Sequence, residues 1–231
     1  LPCSDYQVVG LDNHFRSYGL GVPLIGNRVA AANAAPGQAF YPREVSFPVT
    51  AFFRFEGTVA DLGARRVGRL ELYNPLAIRK ITVQNRPVPL ETDLTTPLAY
   101  FLSRTDLDGV EIAGFFRADQ LEDRTGIYMF EPYQPGKTPV VMVHGLLSSP
   151  LTWTSLFNEL RADPVLNERY QFWFYLYPTG NPYLATAADL RIRLQHMRQE
   201  LDPKRQDAGM DQTVMVGHSM GGLISKLLTQ D

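Results

Sequence analysis

A serine surrounded by small residues stands where a strand is predicted to turn directly into a helix. The segment reads GHSMG at residues 217–221. The apolar run 213–216 predicts the strand before it, and an amphipathic pattern predicts the helix after it. Because so tight a turn strains the backbone of its central residue, the positions two before and two after must be small, and they are Gly217 and Gly221. Ser219 is therefore our candidate nucleophile, at a helix N-terminus that favours negative charge.

The second candidate element is a buried strand that ends in His-Gly. Residues 140–143 are all apolar and lead into His144, Gly145 and Leu146. The interval before Ser219 holds a helix, a strand and a second helix, which brings both turns to the carboxyl edge of one sheet. There we expect the backbone N–H groups of Leu146 and Met220 to hold the negative oxygen of a tetrahedral acyl intermediate.

The four histidines are not expected to supply the catalytic base. His144 is predicted to shape the turn after its strand, and His218 occupies the variable position of the serine motif. His196 falls in the middle of a predicted helix, and His14 lies in the N-terminal segment. Each is therefore assigned a structural or surface role.

Two aromatic residues follow predicted elements near the same edge of the sheet. Tyr177 comes after the second buried strand, and Trp153 begins the helix after the His-Gly turn. Either side chain could line an acyl pocket. The alternative for both residues is packing in the core.

At these two motifs the sequence resembles the α/β-hydrolase superfamily, in particular lipases, esterases and membrane-lipid-directed acyl hydrolases with His-Gly and Gly-His-Ser-Met-Gly-Gly. The resemblance covers about residues 112–231. It implies a lipase-like serine esterase that cleaves carboxylic esters through an acyl-enzyme, with a nucleophile elbow at Ser219. Acyltransferases and thioesterases use the same machinery, and an inactive hydrolase fold used for binding is the alternative from another class.

The superfamily places its acid and its histidine after the nucleophile in chain order. Only one predicted helix follows Ser219, so neither residue can be assigned by motif. The sequence also begins at Leu1 rather than at a methionine. We therefore expect the N-terminal half of such an enzyme, with the histidine and the acid beyond Asp231 and with little activity in these residues alone.

The order of elements predicts an α/β fold preceded by a small β-rich module. Residues 1–40 read as an extended arm, and a short helix is predicted at 96–104. We place the boundary near Thr105, with an arm and β-rich module over 1–104 and a partial α/β-hydrolase domain over 105–231. The strands predicted in the module lie at 45–59, 67–73 and 81–88, and those predicted in the domain lie at 112–117, 126–131, 140–143, 172–176 and 213–216.

The amino-acid composition limits the classes of partner and substrate that we expect for this protein. A formal net charge of −2 and 45% hydrophobic residues are typical of a globular protein and give no sign of nucleic-acid binding. No apolar run reaches the roughly 18 residues that span a bilayer, and no metal-ligand spacing or dinucleotide glycine pattern occurs. We expect a small-molecule or lipid ester as substrate, no cofactor and no metal, and a surface compatible with peripheral membrane association.

The single cysteine, Cys3, excludes an internal disulfide, so disulfide usage does not reveal the compartment. The start without methionine favours an extracytoplasmic location, whether periplasmic, secreted or membrane-anchored, over the cytoplasm. A cysteine this close to a processed start could carry lipid. Pro2 departs from the small residue expected before a lipoprotein cysteine, so an ordinary thiol is favoured.

Overall fold

The computed structural model describes residues 1–29, 37–42, 45–55, 67–104 and 124–229. It divides into two compact units, one of Leu1–Arg28 with Ser46–Ser103 and the other of Val29–Val45 with Arg104–Asp231. The first unit is rich in antiparallel strands, and the second combines helices with a mostly parallel sheet. The chain therefore has the mixed α/β character that the sequence predicts.

The first unit contains a three-stranded antiparallel sheet in the order β2-β3-β4, formed by β2 (Val22–Asn27), β3 (Ser46–Phe55) and β4 (Gly68–Tyr73). The runs predicted to begin at 45 and 67 correspond to β3 and β4. The prediction of an extended arm over 1–40 is wrong here, because β2 pairs with β3 along its whole length. Pro23 and Gly26 break the alternating pattern of β2, and an edge strand tolerates both.

The run predicted at 81–88 is a hairpin, not one strand. It consists of β5 (Lys80–Val83) paired with β6 (Arg86–Pro89). Gln84 and Asn85 between them have φ angles of 49° and 60°, and two left-handed residues reverse a chain between antiparallel strands.

A short helix closes the first unit. The predicted helix is confirmed as α1 (Thr95–Arg104). A short strand pair precedes it, formed by β1 (Arg16–Ser17) and β7 (Thr92–Asp93). The Asp93 carboxylate accepts the backbone N–H groups of the first turn, at 2.8 Å from the nitrogen of Thr96. Such a cap satisfies donors that have no partner inside the helix.

Cys3 lies in a 3-10 helix, Cys3–Asp5, and is 5% exposed. Burial raises the pKa of its thiol to about 12. The side chain is therefore packed in the first unit as a neutral thiol.

The second unit is organised by a four-stranded sheet in the order β11-β9-β10-β8. β9 (Thr138–Val143) runs parallel to β10 (Tyr170–Leu176) and to β11 (Val214–Gly217), whereas β8 (Gly126–Met129) is antiparallel to β10. These strands confirm the runs predicted at 126–131, 140–143, 172–176 and 213–216, whereas 112–117 lies outside the described residues.

Helices connect and cover these strands. The Ser149 hydroxyl accepts the Leu151 N–H at 3.3 Å and so caps a 3-10 helix, Pro150–Trp153, which begins with proline. The α-helices that follow are α2 (Thr154–Ala162), α3 (Pro164–Arg169), α4 (Tyr183–Leu201), α5 (Ala208–Asp211) and α6 (Met220–Leu228). Within the described ranges, none of the helices has the length and apolar character needed to cross a membrane.

The core explains why β10 is almost entirely apolar. β10 has a sheet neighbour on each side, and five consecutive residues from Phe172 to Leu176 are all buried. Trp173 and Tyr175 belong to one core cluster, while Phe174 stacks on Phe130 with ring centroids 4.3 Å apart. A strand covered on both faces needs an unbroken apolar run, so alternation is absent.

The helix α6 buries a narrower face than its sequence predicts. The spacing of the apolar residues in this helix predicts that five side chains face the core, those of Met220, Leu223, Ile224, Leu227 and Leu228. Ile224 is fully buried, but Leu223 is 56% exposed. Adjacent helical positions differ by about 100°, so Leu223 points away from the sheet when Ile224 faces it.

Candidate active site

Ser219 occupies the turn between β11 and α6. Its φ of 53° and ψ of −120° lie where only glycine is comfortable, which marks a strained position. The turn is held by the Gly221 N–H, which donates to the carbonyl of His218, and by the Gly222 N–H, which donates to the carbonyl of Ser219, both at 2.9 Å. Ser219 itself is exposed, so its hydroxyl is accessible above the sheet edge.

The glycines on either side of Ser219 are required by close backbone contacts. A Cβ atom on Gly217 would lie 2.3 Å from the carbonyl oxygen of Gly221. One on Gly221 would lie 2.2 Å from the carbonyl oxygen of Val143. No side chain fits at these distances. The close backbone contacts therefore explain why residues 217 and 221 must both be small.

The His-Gly turn after β9 lies directly beside Ser219. The parallel register of β9 and β11 pairs Val143 with Gly217, and the His218 N–H donates to the Val143 carbonyl at 3.0 Å. A Cβ atom on Gly145 would lie 3.2 Å from the Cβ of Ser219. The two motifs that the sequence singles out therefore meet at one sheet edge.

The two backbone N–H groups predicted to hold an oxyanion belong to the residue after Ser219 and to the residue after Gly145. Met220 is the first residue of α6, and the first N–H groups of a helix have no acceptor within it. Leu146 follows Gly145 in the turn, and the next residue, Leu147, has a φ of 53° and donates its N–H to the Thr179 hydroxyl at 3.4 Å. Binding of an oxyanion by Leu146 and Met220 stays a prediction.

His144 is a structural residue of this turn. Its Nδ1 lies 3.0 Å from the carbonyl oxygen of Gly145, and its side chain is fully buried. Burial lowers the pKa of the imidazole to about 4. At neutral pH the ring is uncharged, and because a carbonyl can only accept, Nδ1 carries the proton.

The two predicted pocket residues lie against the motif histidines. Tyr177 is 2% exposed, stacks on the His144 ring with centroids 4.3 Å apart, and donates its hydroxyl hydrogen to the His144 carbonyl at 2.6 Å. Trp153 is buried, with its ring edge-on to that of His218 at 6.5 Å between centroids. Tyr177 is thus packed beneath the turn and does not line an open surface.

The remaining histidines have partners away from Ser219. His196 is exposed on α4, 3.9 Å from a carboxylate oxygen of Glu200, and His14 lies 2.9 Å from the Asp93 carboxylate. All four histidines belong to the described part of the chain, and there none of them is hydrogen-bonded to the Ser219 hydroxyl. In the described structure, no histidine therefore accepts a hydrogen bond from the Ser219 hydroxyl, as an activating base would.

Residues 136–229 match the model of a protein family described as "Putative serine esterase (DUF676)". The matched segment contains both the His-Gly turn and the Ser219 turn. This match supports a serine hydrolase-like family for the chain at a coarse level. Searches of curated proteins and of solved structures each returned no match.

Sequence reasoning missed the polar contacts that hold the His-Gly turn in place. These are the Tyr177 hydroxyl on the His144 carbonyl and the Thr179 hydroxyl on the Leu147 N–H. The position of these two residues in the sequence could have indicated the contacts, because both follow the carboxyl end of β10, which pairs in parallel with β9.

Proposed function

We propose that the protein is a carboxylic ester hydrolase of the α/β-hydrolase superfamily with Ser219 as its nucleophile. One observation carries the proposal: Ser219 has a φ of 53° between β11 and α6, with Gly145 packed against it. A strained, exposed serine at a strand-to-helix turn is the arrangement of a nucleophile elbow. The family match over residues 136–229 supports the same class of chemistry.

In the proposed reaction, Ser219 Oγ attacks the carbonyl carbon of the ester. The hydroxyl proton passes to a histidine base, and the carbonyl oxygen becomes an oxyanion as the new C–O bond forms. Collapse of this intermediate breaks the bond to the alcohol, which leaves with the proton from the histidine. Water then cleaves the acyl-enzyme by the same steps and restores Ser219.

The oxyanion is proposed to lie between the N–H groups of Leu146 and Met220. Each such donor contributes on the order of 3 kcal/mol in the transition state when it is positioned beforehand. The N-terminus of α6 adds a favourable dipole at the same place. We propose that the histidine base and its acid are not among the residues described above, because the superfamily places both after the nucleophile in chain order.

The surroundings of Ser219 favour an apolar acyl group in the substrate. Leu146 and Leu147 follow Gly145 directly, and Leu223 lies one helical turn after Ser219. Their exposed fractions are 48%, 50% and 56%, so three apolar side chains near Ser219 in the sequence are open to solvent. A small-molecule or lipid ester with a hydrocarbon acyl chain would cover these side chains.

A fluorophosphonate probe tests the assignment of the nucleophile. We expect covalent labelling of the full-length protein at Ser219, located by peptide mass spectrometry, and loss of labelling in Ser219→Ala. Hydrolysis of p-nitrophenyl esters should disappear in the same variant. Labelling or hydrolysis that survives the substitution would show that another residue is the nucleophile.

A further inference from the structure

Tyr177 contacts His144 in two ways at once. Tyr177 directly follows β10, and its ring stacks on the imidazole with an interplanar angle of 17°. Its hydroxyl donates to the backbone carbonyl of the same histidine at 2.6 Å. Both residues are buried, so water does not compete for this hydrogen bond.

The same carbonyl also lies close to the first turn of α6. A Cβ atom on Gly221 would lie 2.5 Å from the carbonyl oxygen of His144. The peptide between His144 and Gly145 is therefore approached at its carbonyl oxygen by both the Tyr177 hydroxyl and the first turn of α6. The next peptide along the chain carries the N–H of Leu146.

We propose that Tyr177 is a positioning residue for the oxyanion loop, residues 144–147, and that its hydroxyl holds the Leu146 N–H at the place where the negative oxygen develops. This inference rests on the proposed function. Tyr177 touches neither the substrate nor the reacting atoms, and acts through the His144 carbonyl.

The expected effect follows from the geometry that such a site demands. A donor must stand about 2.7–3.1 Å from the oxyanion, so a small rotation of the preceding peptide weakens the contact. The ground-state ester makes that contact only weakly. Loss of the Tyr177 hydroxyl should therefore lower kcat and leave KM nearly unchanged.

Tyr175, two residues before Tyr177 and within β10, provides a matched control. It is fully buried and stacks on Tyr177 with centroids 5.1 Å apart. Its hydroxyl donates to the Asp189 carboxylate at 2.7 Å, on helix α4 and not on the oxyanion loop. Tyr175→Phe and Tyr177→Phe thus each remove one hydroxyl together with its hydrogen bonding, to Asp189 and the Thr186 carbonyl in the first case and to the His144 carbonyl in the second, and keep the aromatic ring.

The experiment compares both variants in the full-length protein with p-nitrophenyl butyrate as substrate and phenylboronic acid as inhibitor. The boronate adduct on Ser219 is tetrahedral and places a negative oxygen in the oxyanion site. We expect Tyr177→Phe to lower kcat about tenfold, below the 10²–10³-fold cost of removing a donor outright. KM should stay within about twofold, and boronate affinity should fall by the same factor as kcat.

Tyr175→Phe should keep kcat and boronate affinity within about twofold of the wild type, while lowering the unfolding temperature as much as Tyr177→Phe does. Equal losses of kcat in the two variants would overturn the inference, because they would show a general effect of weaker packing. An effect of Tyr177→Phe on KM alone would overturn it too.

The experiments distinguish a failure of this inference from a failure of the proposed function. If Ser219→Ala abolishes turnover and labelling while Tyr177→Phe behaves as the wild type, only the inference about Tyr177 is wrong. If Ser219→Ala keeps its turnover, or if the wild type shows neither turnover nor labelling, the nucleophile assignment is wrong and the inference falls with it.

Discussion

Gly145 lies against Ser219, close enough that a Cβ atom on the glycine would come within 3.2 Å of the serine Cβ. The same Cβ would lie 2.9 Å from the Nδ1 of His218. The loop that follows β9 can approach the serine turn this closely only because residue 145 has no side chain.

The first prediction concerns this contact. Gly145→Val should lower kcat/KM for an ester by about 100-fold or more, because the branched side chain pushes the oxyanion loop away from Ser219. Gly145→Ala should have a smaller effect, since the His218 ring can move aside. Steady-state kinetics and circular dichroism measure both variants, and near-normal turnover of folded Gly145→Val would place the oxyanion loop elsewhere.

The second prediction compares two adjacent glycines at the start of α6. Gly221→Ala should destabilise the second unit by about 3 kcal/mol, the upper end of overpacking costs, because its Cβ meets the backbone of Val143 at 2.2 Å. Gly222→Ala should not destabilise the unit, because the atom nearest to the added Cβ lies 3.5 Å away. Alanine also favours a helix over glycine by about 1 kcal/mol.

Denaturant unfolding followed by tryptophan fluorescence measures this difference. Both tryptophans of the chain, Trp153 and Trp173, lie in the second unit, so the signal reports on that unit. Equal stability of the two alanine variants would contradict the close approach of α6 to β9.

The sheet edge that carries the candidate site was largely readable from sequence. β9 and β10 are buried on both faces and so appear as unbroken apolar runs, and the glycines around Ser219 mark a tight turn. The strand β2 was not readable, because Pro23 and Gly26 interrupt its pattern. Its existence depends on pairing with β3, a tertiary contact that no local pattern records.

The role of Tyr177 was hidden for a related reason. Its hydrogen-bond partner, His144, is 33 residues away in sequence. Only the register between β9 and β10, which pairs Tyr175 with Val143, brings Tyr177 beside the residues that follow β9. An aromatic residue after a strand therefore suggested a pocket, whereas its environment is a packed turn.

The third prediction tests which face of α6 is buried. Ile224→Ala should destabilise the second unit by about 2–5 kcal/mol, because the side chain is fully buried and its removal leaves a cavity. Leu223→Ala, one position earlier and 56% exposed, should change stability by less than about 1 kcal/mol. The same fluorescence measurement distinguishes them, and a larger loss in Leu223→Ala would reverse the assigned orientation of the helix.

The fourth prediction concerns the acid side of the stability profile. Burial lowers the pKa of His144 to about 4, from its ordinary value of about 6.5 in an unfolded chain. Between pH 4 and pH 6.5, the His144 imidazole is therefore protonated in the unfolded state and neutral in the folded state. The stability that neutral His144 contributes is fully present above pH 6.5 and is lost as the pH falls towards 4, by about 3 kcal/mol in total.

His144→Asn isolates this contribution, because the amide can still donate to the Gly145 carbonyl but does not titrate in this range. We expect the free energy of unfolding of the wild type to fall more steeply than that of the variant between pH 6.5 and 4, since other groups titrate alike in both. Tryptophan fluorescence in denaturant series at several pH values measures the difference. Parallel pH profiles for the two proteins would contradict this prediction, because they would show that the folded protein does not hold the His144 ring neutral at pH 5.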